Sequence, residues 1–345
     1  MNGILTQMQQ KKIKNMEKIM SKNVIFLIAA IFILNGCISP KINIFSNRQS
    51  SLKEYTLEGT GEQKILVIPI QGTITDKPRK GILKNTQAMV PRIVSQLKKA
   101  EKDTNIKAVI FKINSPGGSV TASDMLYHEI MEFKKKTGVI IVVSMMNVAA
   151  SGAYYISLPA DMITAHPTSV TGSIGVIYMH PVISGFMEKI GVHLNVAKTG
   201  SEKDMGSMFR QSTQKEKKII QDIVDQLGQR FFKLVKKHRN LSAETMKKIS
   251  TARVWLADAA KELGLIDSIG YLSDAVKSAK TLAKLSDNAK LIIYRHKKYN
   301  DDNIYNAAIA DYLGQVPVID LGFLNSTTSM PAGFYYLWVS ESGTD

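Results

Sequence analysis

One stretch constrains this chain more than any other. The apolar run Val139 to Val143 leads into Met146-Asn147-Val148-Ala149-Ala150-Ser151-Gly152-Ala153-Tyr154-Tyr155-Ile156-Ser157. An apolar run of that length reads as a buried strand. The residues after it are helix-compatible, and Ala149, Ala150, Gly152 and Ala153 crowd small side chains around a single hydroxyl, Ser151. A serine at a strand-to-helix turn has two uses. It can N-cap the helix that follows. It can also serve as a nucleophile, with its oxygen clear of the backbone and helix-start amides ready to stabilise an anion.

The rest of the chain must decide between them. With 345 residues and a 44% hydrophobic fraction, the chain can bury a sizeable core. Lys and Arg number 45 against 29 Asp and Glu, a formal charge of +16. Such an excess favours anionic surfaces. No aromatic-interleaved basic patch and no zinc spacing points to nucleic acid, so a membrane is the expected partner. Part of the excess sits in Lys11, Lys12, Lys14, Lys18 and Lys22, which precede the apolar run Val24 to Leu34. Those 11 apolar residues fall short of the ~20 that span a bilayer and suit a signal segment. Leu34-Asn35-Gly36-Cys37 follows and resembles the lipobox of bacterial lipoproteins, in which the cysteine is lipidated. Cys37 is the chain's one cysteine, so no internal disulfide forms. Residues 1–37 are thus expected to be an anchor that exports and tethers the chain, and 38–62 a polar linker.

From there strands and helices alternate. Strands are expected at Lys64–Ile70, Ala108–Ile113, Val139–Ser144 and Met162–Ala165, with helices over Lys80–Ala100, Thr121–Lys136 and Thr213–His238. Alternation of this kind implies an α/β fold with largely parallel pairing. From about Asp287 the pattern weakens. The end of the chain holds an apolar, aromatic patch, Pro331 to Val339, which a lone monomer would rarely expose.

A peptidase needs a nucleophile, a base, and donors aimed at the oxyanion. Ser151 and the amide of Gly152 fit the first and third roles. Pro116-Gly117-Gly118 lies between a strand and a helix, and Gly118 is a candidate second donor. The base is open on residues alone. His166 or His180, with Asp161 or Asp204, would complete a histidine arrangement. A lysine is the alternative, Lys198 or Lys203 in the small-residue stretch around Thr199-Gly200-Ser201. Free lysine titrates near ~10.4, so a lysine base needs a desolvating site.

Four segments together resemble the bacterial signal peptide peptidase A family, serine–lysine peptidases of the Clp protease/crotonase superfamily. They are Ile113 to Ser119, Ala149 to Ile156, Thr171-Gly172-Ser173-Ile174-Gly175-Val176, and Gly200 to Ser207. The resemblance covers roughly residues 63 to 275 and implies a spiral of β-β-α units, with 276–345 as a C-terminal extension. It implies Ser151 as nucleophile, Lys203 as general base, Gly118 and Gly152 as oxyanion donors, and Ser173 as the hydroxyl that orients the lysine. Met208 and Ser119 depart from the family's frequent proline and glycine. The resemblance further implies a homo-oligomeric ring, octameric in the extreme, in which serine and lysine meet across subunit boundaries. No metal or organic cofactor is expected. The activity implied is endopeptidase cleavage of hydrophobic peptides, notably signal-peptide remnants, on the exported side of a bacterial cell membrane. A crotonase-like acyl-CoA enzyme and a non-catalytic membrane scaffold are the competing readings.

Overall fold

The computed structural model describes residues 51–80, 85–86, 88–296, 298–299, 302–305 and 333–339. The expected anchor, Cys37 included, and most of the expected linker lie outside these residues. Among the described residues no helix is long and apolar enough to cross a membrane.

The elements run β1 (Lys53–Glu58), β2 (Lys64–Gln71), β3 (Arg79–Lys80), β4 (Asn85–Thr86), α1 (Met89–Ala100), β5 (Ile106–Ser115), β6 (Gly117–Ser119), α2 (Val120–Thr137), β7 (Ile140–Ala150) and α3 (Gly152–Ser157). They continue as β8 (Met162–Ala165), β9 (Val170–Gly172), β10 (Ile177–Met179), α4 (Ser184–Lys189), α5 (Gln214–His238), α6 (Ala243–Ile249), β11 (Val254–Leu256) and α7 (Ala257–Glu262). The last are β12 (Ser268–Ile269), α8 (Leu272–Leu282), β13 (Lys290–Arg295) and β14 (Gly333–Leu337).

The main sheet has the order β1-β13-β2-β5-β7-β8-β12, with β9 pairing the far end of β7 and β11 pairing β9. Its centre, β13-β2-β5-β7-β8, is parallel throughout. The sequence explains why. In β2 every residue from Ile65 to Ile70 is buried, the unbroken apolar run of a strand covered on both faces. Leu66, Ile68, Val109, Phe111, Val143 and Met145 face a core shared with Ile93 and Leu97 of α1 and Leu126 and Ile130 of α2. Ile65, Val67, Ala108, Ile110 and Val142 face the opposite way, onto Leu272, Ala275, Val276 and Ala279 of α8. The helices are ended by local chemistry. The Ser119 hydroxyl accepts from the Ala122 amide to open α2, and Gly138, at φ 65°, closes it by donating to the Lys134 carbonyl. Thr213 and Glu216 form a reciprocal capping box at the start of α5.

Three expectations change. The helix predicted from Lys80 begins at Met89; Pro91 fits only the first turn, where its missing N–H costs nothing. The third strand runs past Ser144 to Ala150, because its last residues find partners on β9. Part of the expected linker and part of the expected C-terminal extension enter the main sheet. Lys53–Glu58, half-buried at Glu54, Tyr55 and Leu57, pairs antiparallel with β13, and β13 lies inside the sheet beside β2. The described residues form one compact unit.

Lys112 projects from the middle of β5 and is buried. Its Nζ donates to the carbonyls of Ile304 (3.0 Å) and Tyr305 (2.8 Å). Burial disfavours the ammonium and pushes its pKa down from 10.5 to about 8. Between those values the folded chain has released a proton that the unfolded chain still holds. Stability contributed at this position therefore rises with pH from about 8 to 10.5. In urea titrations the wild type should gain stability relative to Lys112→Met across that window, and the difference should be constant below it.

Candidate active site

The site is assembled where two parallel strands end together. β9 pairs with the last turn of β7 in the register Val148 with Val170, Ala149 with Thr171, and Ala150 with Gly172. The next residue on each strand is a serine, Ser151 and Ser173. Parallel neighbours lie about 4.8 Å apart, so these two hydroxyl-bearing residues start from adjacent positions. The Ser151 amide donates to the Gly172 carbonyl at 2.7 Å, and the Ser173 amide donates to the Arg253 carbonyl at 2.9 Å. The Thr171 hydroxyl closes the pairing by donating to the Ala149 carbonyl at 2.7 Å.

Both serines have left-handed backbones, Ser151 at φ 56° and Ser173 at φ 49°. Such angles are strained for a residue with a Cβ and persist only where the surroundings over-determine them. Here the strand pairing does so. The turn at Ser151 (ψ −117°) converts β7 into α3. Its hydroxyl does not cap that helix. It is buried, with the residue 1% exposed, and it has no hydrogen-bond partner. Buried hydroxyls are ordinarily paired. An unpaired one on a strained strand-to-helix turn therefore favours the nucleophile over the cap.

The glycine loop lies alongside. Gly152 is the first residue of α3, so its amide has no acceptor within the helix. A Cβ built there would stand 2.4 Å from the Ser123 hydroxyl and 3.2 Å from the Gly118 amide nitrogen. The two amides expected to polarise a carbonyl are thus close neighbours. Gly118 cannot carry a side chain either, since its Cβ would meet the Ile74 carbonyl oxygen at 1.9 Å. The Ser115 hydroxyl accepts from the Gly117 amide at 3.1 Å and holds the loop's entry.

Around this centre sits an aromatic cluster that sequence reasoning did not assemble. Tyr155, four residues after Ser151, is fully buried. Its ring stacks on Tyr336 (centroids 5.0 Å) and meets Phe231 (4.9 Å) and Tyr127 (5.4 Å) edge-on. Burial first, then the hydrogen bond to Asp124, raises the Tyr155 phenol well above its usual range. The aromatic patch at the chain end and Phe231 on its helix face were both visible signals. That they meet beside Ser151 was not.

Lys203 lies in the turn region 201–206 and is exposed. Within one chain it does not bond the Ser151 oxygen, which has no partner. The loop that carries it is braced. Asp204 accepts from Arg210 (2.7 Å) and Lys198 (2.6 Å), and Arg210 also pairs with Glu216 at the start of α5. Arg210, then Lys198, hold the Asp204 carboxyl far below the usual range, and Arg210 holds Glu216 down at about 2. Lys198, the other lysine considered, is committed to Asp204 and the Ser201 carbonyl.

The histidine alternatives are engaged elsewhere. His166 pairs through Nδ1 with the Thr168 hydroxyl (2.9 Å) and sits edge-on to Tyr271. His180 lies against Tyr178 and near Ser212. Asp161 accepts from Lys134 and the Ile141 amide. None of these groups bonds Ser151.

Replacing Ser151 by glycine removes both the hydroxyl and the left-handed strain, whereas alanine removes only the hydroxyl. Ser151→Gly should therefore be more stable than Ser151→Ala by about 1 kcal/mol, read as the difference in denaturant unfolding free energy.

The chain is similar to known proteases. The family model for Peptidase family S49 matches residues 133–286, and that for Clp protease matches residues 82–171. A protein provisionally named signal peptide peptidase SppA in Enterococcus faecium is 36% identical over 253 residues, 73% of this chain and 73% of that protein. A provisionally named protease, MJ0651, of Methanocaldococcus jannaschii is 38% identical over 58% of this chain and 64% of its own length. Protease 4 of Haemophilus influenzae is 36% identical over 70% of this chain, and the match spans 38% of that longer protein.

Proposed function

The chain belongs to the signal peptide peptidase A family of serine proteases, and from that premise we propose that it is a Ser–Lys endopeptidase acting on hydrophobic peptides. The observation that carries this reading is Ser151, buried, unpartnered and held at φ 56° where β7 turns into α3.

In this reading the Ser151 oxygen attacks the scissile carbonyl. The amides of Gly118 and Gly152 receive the developing oxyanion, the kind of fixed-dipole stabilisation that dominates acyl transfer. Lys203 takes the hydroxyl proton and returns it to the leaving amine. Water then hydrolyses the ester with the same base. Ser173, one residue past the Gly172 that receives the Ser151 amide, orients the lysine.

Lys203 is exposed in its own chain, so its amine would come from a neighbouring copy. Support for such an assembly lies in the residues around it. Val182, Phe186, Ile190, Val192, Leu194, Val196 and Phe209 are all exposed, Phe186 at 64%. A contiguous sequence segment this apolar marks an interaction surface. A closed ring, up to an octamer, would let each copy give its lysine and receive another. Residues 1–37, with Cys37 as the lipidation site, would tether the ring to the exported face of the bacterial cell membrane. There, remnants of cleaved signal peptides are the expected substrates.

The test is complementation. Ser151→Ala and Lys203→Ala chains should each fail to cleave a synthetic signal peptide. Co-refolded in equal amounts, they should regain about a quarter of wild-type activity, because one site in four pairs an intact serine with an intact lysine. Activity retained by Lys203→Ala alone would overturn the dyad. Mixtures that stay inactive would place serine and lysine in the same chain.

A further inference from the structure

We propose that the cavity at the carboxyl ends of β2 and β5 is a binding site for a carboxylate-bearing ligand, with Lys112 as its cation. The inference goes beyond the peptidase reading and stands without it.

The sheet places the site. In open α/β sheets, ligands are taken in the crevice outside the carboxyl ends of parallel strands. β2 and β5 are parallel, and near their ends Pro69 lies opposite Lys112 and Gln71 opposite Asn114. Side chains two apart on a strand share a face. Ala108 and Ile110 of β5 pack on α8. Lys112 and Asn114 continue that face past the helix into a cavity of about 290 Å³. Gln71, Asn147 of β7 and His166 after β8 complete its polar lining.

This lining is rich in donors that lack acceptors. An ammonium carries three N–H groups. Lys112 is buried and gives two of its own to the carbonyls of Ile304 (3.0 Å) and Tyr305 (2.8 Å). Among the described residues no carboxylate pairs with it. A buried cation is ordinarily matched by an anion, because desolvation otherwise costs too much. The Nδ1 of His166 accepts from the Thr168 amide at 3.3 Å, so the proton of the neutral ring sits on Nε2. That N–H has no partner among the described residues. Neither Gln71 nor Asn147 makes a side-chain hydrogen bond there.

Asn114 shows why its donor end is left over. The β5–β7 ladder slips beside it. Ile113 lies opposite Met145, but Ser115 lies opposite Ala149. The Asn114 Oδ1 accepts from the Val148 amide at 3.2 Å, an N–H within that slip. Its acceptor is thus committed to the backbone. Its amino group remains without a partner among the described residues.

An amine, an imidazole N–H and side-chain amides therefore line one space, and no Asp or Glu lines it with them. A carboxylate supplies what is missing: negative charge, and two oxygens that only accept. Hydrogen bonds from a charged donor to such oxygens are the strong ones. Met146 and Tyr305 add apolar wall, with the Tyr305 ring centroid 5.8 Å from the Lys112 amine. That wall suits a short aliphatic tail. Two sources offer this chemistry, a free short-chain acid and the C-terminal carboxylate of a peptide.

The test uses the full chain carrying Ser151→Ala, so that peptide probes stay intact. Burial lowers the Lys112 pKa to about 8, so its amine can be acetylated with acetic anhydride at pH 8 and followed by mass spectrometry. Saturating butyrate should slow that acetylation about tenfold, while butyramide leaves it unchanged. Lys277, whose side chain is 77% exposed, should react at one rate throughout. In calorimetric titrations at pH 7, Lys112→Met should bind butyrate at least tenfold more weakly than the parent. The tripeptide Ala-Ala-Leu and its C-terminal amide separate the sources. Protection by the acid form and not the amide makes a peptide terminus a ligand. Protection by butyrate alone makes it a free acid. No protection by any carboxylate, equal protection by butyramide, or unchanged butyrate binding in Lys112→Met overturns the site. Inorganic phosphate protecting better than every carboxylate overturns the ligand class.

Discussion

The hydrogen bond from the Ser151 amide to the Gly172 carbonyl, 2.7 Å long, is the contact on which the site depends. It continues the β7–β9 ladder one residue past its last pair and ties the turn at Ser151 to the turn before Ser173. Without it nothing local would hold Ser151 at φ 56°. Alanine-rich sequence on both sides would relax toward helix or strand, since neither neighbour demands a left-handed backbone. The small residues Ala149, Ala150 and Gly152 are there because three backbones converge: β5 at Ser115, β9 at Gly172, and the glycine strand β6. Side chains larger than a methyl would force these strands apart.

That convergence also explains how an unpaired hydroxyl survives in the core. A buried donor without a partner costs on the order of 1–3 kcal/mol, and left-handed backbone adds a similar amount. The surrounding sheet offsets this. The residues of β2, β5 and β7 are buried on two faces by α1, α2 and α8, and the strained turn sits at the margin of that core. Strain and an open hydrogen-bonding capacity at one atom are what an acyl-transfer nucleophile requires, and they are tolerable only beside packing this extensive.

The parallel centre of the sheet was legible because its strands are continuous apolar runs, which nothing but two-sided burial explains. That Ser151, Gly118 and Gly152 sit where strands turn into helices was legible because small residues and glycines mark such turns. The strands β1 and β13 were not, since Lys53–Glu58 is polar at Lys53, Glu54, Thr56 and Glu58, without strict alternation, and resembles a linker until its partner is known. Nor was the destination of the aromatic tail. Tyr336 pairs with Gly118 across more than two hundred residues of sequence, and no local pattern encodes a contact of that range. The choice between histidine and lysine could not be made from spacing at all. It came from four motifs in order, and the engagement of His166 with Thr168 and Tyr271 is consistent with it.

Lys203 is best understood through what immobilises its loop. Backbone bonds from Lys203 to Gly200, Met205 to Glu202 and Ser207 to Asp204 wind the segment into consecutive turns. Asp204, adjacent to the lysine, is clamped by Arg210 and Lys198, and Arg210 in turn grips Glu216 in the capping box of α5. A surface lysine of no consequence needs no such bracing, since isolated exposed ion pairs contribute little to stability. Several linked pairs around one turn instead fix its geometry, which is the quality a base must have if it is to meet a hydroxyl it does not share a chain with. In the proposed assembly, this braced loop with its exposed amine, and the apolar segment that precedes it in sequence, would supply what the buried Ser151 hydroxyl lacks within its own chain.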